Sequence, residues 1–387
     1  MAPRRPSSSG GSSSNKNKKM PGPSSMLTDA ETQFAAGNVE EAIELASRAL
    51  DATGSGGDFE LRALNLLGML HVENGEEDEA RGFLERAVLL DEDGMADERV
   101  GGGAEKFLFL AQLSEEGGKD SVRWFERGAS VLRRQMLALS DLGRRTARQQ
   151  AELEEKQQQL GGVLCAVAEV YMTDLSWEED AESRCEALVT EAMMIAPDAA
   201  ETWQTVANVR VSQERTEEAR TALTRSLELW RDLPPEHPGV PEFPTRIALA
   251  RLLLETQMEE EALTVLERLV SEDDESVEAW YLGGWCLYTT GEKQREAGRN
   301  GGSSSEKTSE EEEWKGTWTT ARKWLARCLK LHAMLEYEDE RLGDHAVELF
   351  ESINQELGPM PEGEEEEWED SEGEGEDDVE EDEEMRD

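Results

Sequence analysis

The side chains best suited to metal binding or nucleophilic chemistry are four histidines (His71, His237, His332, His345) and four cysteines (Cys165, Cys185, Cys286, Cys328). A zinc site needs paired ligands a few residues apart, and a zinc protease needs H-E-x-x-H. None of these side chains stands at such a spacing. Gly101–Gly103, followed by Glu105 and Lys106, offers the glycines and lysine of a phosphate loop. Lys106 lacks the following Ser or Thr and no strand precedes it, so the stretch reads as a helix-connecting linker. Gly302–Thr308 fails because Glu306 stands where the glycine before the lysine must be. Carboxylates abound, but in helices this acidic nearly every pair is a solvated face. The expectation is a non-enzyme with no catalytic residue, no cofactor and no metal.

Those carboxylates are the other notable feature. The chain carries 88 Asp plus Glu against 40 Lys plus Arg, a net charge of −48 on 387 residues. So large an excess destabilises a compact state by self-repulsion and is suited to a strongly positive partner. Direct nucleic-acid binding is opposed, since basic residues cluster only around Arg144-Arg145 and Lys16–Lys19. No membrane association is expected, because no apolar run approaches the ~20 residues of a spanning helix. The N-terminus has no apolar stretch of the signal-peptide kind, and the scattered cysteines read as reduced thiols. The expected location is cytoplasm and nucleus.

Three zones must position whatever the chain binds. Residues 1–25, rich in Ser, Gly and Pro with five basic residues, are expected to form a disordered basic arm. Residues 26–357 hold the hydrophobic periodicity. Residues 358–387 are expected to be a disordered acidic tail; from Glu362 onward it carries 18 acidic residues and one basic residue.

Within the middle zone one pattern recurs. Trp203, Val206, Ala207 and Arg210 mark one face of a helix, and Ala219, Leu223 and Ser226 the packing face of a second. Small residues at these positions let two antiparallel helices approach closely. Further copies run through Leu64–Ala87, Phe107–Ala129, Leu164–Ala192 and Arg246–Leu269, with a truncated first copy from Phe34 to Leu50. A last copy opens at Trp280, Gly283, Gly284 and Leu287 and resumes only at Ala321, Leu325 and Cys328. The low-complexity insertion between them, 292–318, is expected as a mobile loop. Residues 336–357 are expected to be a closing helix. Val131–Leu160 is too long for a repeat connector and reads as an extended helical linker, either one helix or a pair broken near Gly143.

The spacing resembles the tetratricopeptide repeat, which implies an all-α superhelical solenoid of about seven helix hairpins. Such a solenoid has a concave face lined by the first helix of each repeat. Helical spacing then nominates Glu31, Asn65, Met69, Glu73, Gln112, Glu116, Glu169 and Met172 as partner-binding residues. It continues with Glu201, Gln204, Asn208, Arg251, Glu255, Glu278, Tyr281, Trp285 and Tyr288. Asn and Gln can bond a peptide backbone, Glu pairs with Lys or Arg, and Met and aromatics clasp aliphatic stems. That mixture suits a basic, extended peptide. Co-chaperones of the same repeat class clamp acidic peptides through Lys, Asn and Arg; Leu27, Glu31 and Leu66 stand at matching places here, so that clamp is missing.

A basic Ser-rich arm, about seven repeats, a split last repeat with the string WYLGGWCLYTTGE (Trp280–Glu292) and an acidic tail together resemble a narrower group. It is the fungal dedicated assembly chaperones of ribosomal protein four of the large subunit. The resemblance implies capture of that protein by its basic internal loop, an import receptor reached through the client, and release onto nuclear pre-60S particles. Two other readings stay open: a chaperone of histones or other basic nuclear proteins, and a scaffold subunit of a stable complex.

Overall fold

The computed structural model describes residues 21–300 and 306–360. Fifteen α-helices and one short 3-10 turn make up the described residues, with no strand among them. In order they are α1 (Pro23–Ala35), α2 (Val39–Thr53), α3 (Glu60–Glu73), α4 (Glu77–Leu90), α5 (Glu105–Gln112), α6 (Gly118–Ser140), α7 (Ala147–Met172) and α8 (Ala181–Ile195). There follow α9 (Ala200–Ser212), α10 (Thr216–Trp230), α11 (Phe243–Glu255), α12 (Glu259–Glu272), α13 (Val277–Asn300), α14 (Glu306–Met334) and α15 (Glu340–Leu357). The chain divides into two compact units between Ala181 and Glu182.

Five of the helix-to-helix turns close with the same local chemistry. The second residue past the helix is left-handed at Gly37, Gly75, Glu214, Gln257 and Glu336, with φ of 82°, 74°, 59°, 59° and 48°. The next N–H, of Asn38, Glu76, Arg215, Met258 and Tyr337, donates to the carbonyl five residues back at 2.8–3.1 Å. This satisfies orphan carbonyls at the helix end and reverses the chain. Glycine needs no help to reach that conformation, whereas Glu214 and Gln257 reach it because both flanking helices are already held by packing.

Small residues set the helix separation. Ala42, Ala46 and Ala49 on α2, Ala80 and Ala87 on α4, Ala219 on α10 and Ala262 on α12 are all fully buried. They receive the large residues of the partner helix, such as Leu64, Leu67 and Leu70 on α3. Ser226, at the small position of α10, is buried too and donates its hydroxyl to the Ala200 carbonyl at 2.9 Å.

Within the first unit α1 packs on α3 and α3 on α5; within the second, α9 packs on α11, α11 on α13 and α13 on α15. These odd-numbered helices, α1, α3 and α5 in the first unit and α9, α11, α13 and α15 in the second, therefore form a shared face in each unit, as expected for the first helices of tetratricopeptide repeats.

Several expectations need correction. The first copy is complete, not truncated: α1 buries Met26, Leu27 and Ala30 against α2 and α3. Proline at the first helical position starts α1 at Pro23, inside the segment 1–25 assigned to the basic arm; residues 1–20 lie outside the described residues. The insertion 292–318 is not a loop where it is described. Instead α13 continues to Asn300 and α14 begins at Glu306, because Gly291, Trp318 and Tyr288 let the two helices keep packing past the repeat length. Residues 301–305 lie outside the described residues. Of the two readings of 131–160, one helix or a pair broken near Gly143, the structure has the pair: the break runs over 141–146, where Thr146 and Gln149 form a capping box that starts α7. The closing helix starts at Glu340, not 336, with Asp339 accepting from the Arg341 and Leu342 N–H groups. Residues 361–387, most of the acidic tail, lie outside the described residues.

Candidate functional site: a polar cavity and an aromatic groove

In the first unit, the odd helices and α7 enclose a cavity of about 360 Å³. Glu31 enters from α1, Asn65 and Met69 from α3, Glu105 from α5 and Glu152, Glu155 and Lys156 from α7. Glu31 does not await a partner, since Arg62 donates to both its oxygens at 2.7 and 2.8 Å. Asn65 donates its amide to the Gly101 carbonyl, while its Oδ1 is buried and has no hydrogen bond. Lys156 reaches Glu98 at 2.7 Å.

The floor of this cavity rests on a buried ion pair. Lys106 is 1% exposed and donates to Asp91 Oδ2 at 2.7 Å and to the Gly103 carbonyl at 3.0 Å. Asp91 also accepts from the Met95 and Ala96 N–H groups at 2.9 and 3.0 Å. Burial pushes the Asp91 carboxyl up, and the Lys106 ammonium with those two N–H groups more than offsets this, holding it below the usual aspartate range. Lys106 is depressed chiefly by burial. The triple glycine beside it is a packing device: a Cβ on Gly102 would lie 1.8 Å from the Ala96 carbonyl oxygen.

In the second unit, α11, α13 and α15 line a groove of about 540 Å³ holding Glu255, Tyr281 and Trp285. A neighbouring recess of about 480 Å³ holds Glu278, with Phe243, Ile247, Leu335 and Tyr337. Arg251 borders both, and its guanidinium pairs with Glu278. The Tyr281 hydroxyl shares a 2.7 Å hydrogen bond with His345 Nδ1, and burial raises the Tyr281 phenol.

The remaining nominated residues are scattered. Glu73 and Gln112 are exposed at the ends of α3 and α5, and Glu116 lies beyond α5 in the connector to α6, not on a first helix. Glu169 and Met172 stand on the last turn of α7, and Glu201 and Asn208 on α9. Gln204 donates to the Thr245 carbonyl at 3.1 Å. Tyr288 turns inward: it stacks on Trp318 at 5.1 Å and 6° and bonds the Ser352 hydroxyl at 3.1 Å. Its bulk packs the long α13–α14 hairpin.

The sequence reading passed over Glu152, Glu155, Lys156 and Gln159 by treating 131–160 as a linker. Their i, i+3, i+4, i+7 spacing was the available signal. Arg62 carried no such signal; Arg251 is nominated by helical phase, but that these two arginines neutralise Glu31 and Glu278 is not legible there, because the partners sit one repeat away.

Among the described residues, no group of three or more His, Cys, Asp or Glu is placed to hold a metal, and no helix is long and apolar enough to cross a membrane. All four cysteines are buried; burial pushes the Cys286 and Cys328 thiols up to about 12, far from the range of a reactive thiolate.

Ion pairs between neighbouring helices stabilise the second unit and give it a pH dependence. Arg246 donates to both oxygens of Glu272 at 2.8 and 2.6 Å, and Arg268 adds a bond at 3.1 Å. The Arg246 bonds hold the Glu272 carboxyl below the usual glutamate range against the opposing effect of burial. A lowered folded value means stability that is present above the unfolded value, about 4.3, and lost as pH falls through the folded one. Glu272→Gln should therefore melt below the wild type at pH 7, and the gap should close progressively on acidification. Thermal melts by circular dichroism from pH 7 to pH 3 check this; a gap independent of pH would refute it.

The repeated hairpins, their shared odd-helix faces and the recesses on them define a tetratricopeptide-repeat protein. The tetratricopeptide repeat family matches residues 27–95 and 247–298. A protein of Emericella nidulans named "Probable assembly chaperone of rpl4" is 46% identical over 93% of this chain and 91% of its own length. One of the same name from Schizosaccharomyces pombe is 33% identical over 89% and 96%. A solved structure of the assembly chaperone of RpL4 (Acl4, residues 1–338) matches with TM-score 0.68 and 58% identity, covering 72% of this chain and 99% of that one. The chain belongs to the family of assembly chaperones of rpl4.

Proposed function

We propose that this chain is a dedicated chaperone of the large-subunit ribosomal protein rpl4. It binds by recognition, without catalysis, and shields a basic, extended segment of the newly made client. The observation that carries the reading is the 46% identity to a protein of that name over 93% of the chain, so the likeness runs through the whole repeat array. The charge supports it independently. The segment from Glu362 contributes −17 and residues 1–25 contribute +5, leaving −36 on residues 26–361. Most of the negative charge therefore belongs to the repeats.

A ribosomal protein carries basic extensions that RNA normally neutralises. A polyanionic repeat surface takes the place of RNA until the true site displaces it, with fast, salt-sensitive association. Transit from cytoplasm to nucleus with the client, through an import receptor that reads the client, belongs to this proposal. The location is checked by imaging the fluorescently tagged chain.

The binding test uses the full chain and a peptide of the client's basic internal loop. Affinity should exceed that for a scrambled peptide of equal charge by at least about tenfold, which is 1.4 kcal/mol. It should fall steeply with added salt. Deleting residues 362–387 should leave most of the binding, because the recesses lie on the repeats; loss of nearly all of it would favour a generic chaperone of basic proteins. Equal affinity for the scrambled peptide would refute a dedicated chaperone.

A further inference from the structure

The aromatic groove of the second unit has a feature that general acidity does not require. Trp285 is 38% exposed on α13, although every other tryptophan of α13 and α14 whose burial is described is buried or half-buried. Its ring is held in place: His345 meets it edge-on at 5.8 Å and 87°, and Tyr281 lies 6.1 Å away. His345 is fixed in turn by the Tyr281 hydroxyl. An indole that is both rigid and open is a preorganised surface for a flat ligand group, with little ordering left to do on binding.

The wall opposite supplies charge. Glu255, the last residue of α11, lines the same groove and has no ion-pair partner among the described residues. Glu259 lies next to it and is neutralised by Lys293 at 2.5 Å, as Arg251 is by Glu278. Arg341 occupies the α15 side, so the unpaired carboxylate and the indole face mark the α11–α13 side as the place for a cation. Residues 182–360 carry 37 acidic against 19 basic side chains, which draws a cation toward the groove.

We infer that the Trp285–Glu255 pocket takes one arginine side chain of the bound basic segment. The guanidinium stacks on the indole while its N–H fork bonds the Glu255 carboxylate. Arginine fits better than lysine because its planar group can do both at once, whereas an ammonium is a compact, strongly hydrated point charge. The inference rests on the proposed client reading and adds an anchor point to it.

A double-mutant cycle tests it with the full chain and the client's internal-loop peptide, each arginine replaced in turn by uncharged citrulline. At one position citrulline should weaken wild-type binding about tenfold. Trp285→Ala should weaken the parent peptide by a similar factor, and the two changes together should do little more. Trp285→Phe, which keeps an aromatic face, should retain most of the affinity, and Glu255→Gln should lose part of it. Melting curves of each variant verify that the fold is intact. If the effect of Trp285→Ala adds fully to that of every citrulline, the pocket is not an arginine site, while the client reading stands. If the wild type prefers the loop no more than its scramble, the client reading fails and the anchor with it.

Discussion

Gly283→Ala should destabilise the last repeat by about 1–3 kcal/mol or more, although glycine to alanine inside a helix ordinarily stabilises by about 1 kcal/mol. The reversal comes from the α13–α14 contact. A Cβ on Gly283 would lie 2.1 Å from two ring atoms of Trp324. That ring is 4% exposed and packed against Trp280 at 4.7 Å, and Trp280 is tied to the Asp274 carbonyl through its indole N–H at 2.8 Å. Neither ring can yield without disturbing the other. Gly316→Ala, on the same hairpin, is the control: nothing lies within 4 Å of its Cβ, so the helix-propensity gain of about 0.5–1 kcal/mol should appear undiminished. Urea unfolding followed by tryptophan fluorescence should thus give shifts of opposite sign. Equal signs would show that the close approach is not as described.

The second large effect is expected at Lys106. Lys106→Met keeps the length of the side chain but leaves Asp91, 7% exposed, with two N–H donors and no cation. Removing one member of a buried pair costs about 3–5 kcal/mol, because the other charge stays buried. Adding Asp91→Asn should recover much of that loss, since an amide needs no counter-ion. The consequence reaches the candidate cavity as well. Asp91 shapes the 91–97 turn and Lys106 holds the Gly103 carbonyl, so the pair sets the loop whose Gly101 accepts from Asn65 in the cavity. Denaturation of the single and double variants measures the coupling. A Lys106→Met loss below about 1 kcal/mol, the range of exposed pairs, would show that the pair is solvated.

The α13–α14 contact also shows how far a one-dimensional pattern carries. Gly283, Gly284, Ala321 and Leu325 were recognisable as facing positions of one repeat although about 30 residues separate the two halves. A repeat imposes small residues at fixed offsets, and that constraint survives an insertion. What the pattern did not reveal is that the insertion lengthens both helices. Its Gly, Ser and Glu content reads as loop, but Trp318, stacked on Tyr288, donates its indole N–H to the Tyr288 carbonyl at 3.0 Å and so carries the packing past Gly291. The same contact removed Tyr288 from the nominated binding face.

The candidate site divides along a similar line. Glu31, Asn65, Met69, Glu255, Tyr281 and Trp285 were found from helical phase, and the structure gathers them around two recesses. Phase reports which way a side chain points relative to its own helix. It carries no information on what the next repeat puts opposite, which is why the pairing of Arg62 with Glu31, and of the nominated Arg251 with Glu278, came only from the fold.

Helix class, repeat period and the sign of the partner follow from periodicity, small-residue spacing and charge, each a local or additive property of the chain. Which glutamates stay unpaired and which aromatic ring is left open depend on contacts between residues 25 to 65 positions apart. Those contacts exist only once the hairpins have stacked. The arginine pocket belongs to this second group: Glu255, Trp285 and His345 come from three helices, and packing alone brings a carboxylate, an open indole and the ring that holds it to one groove.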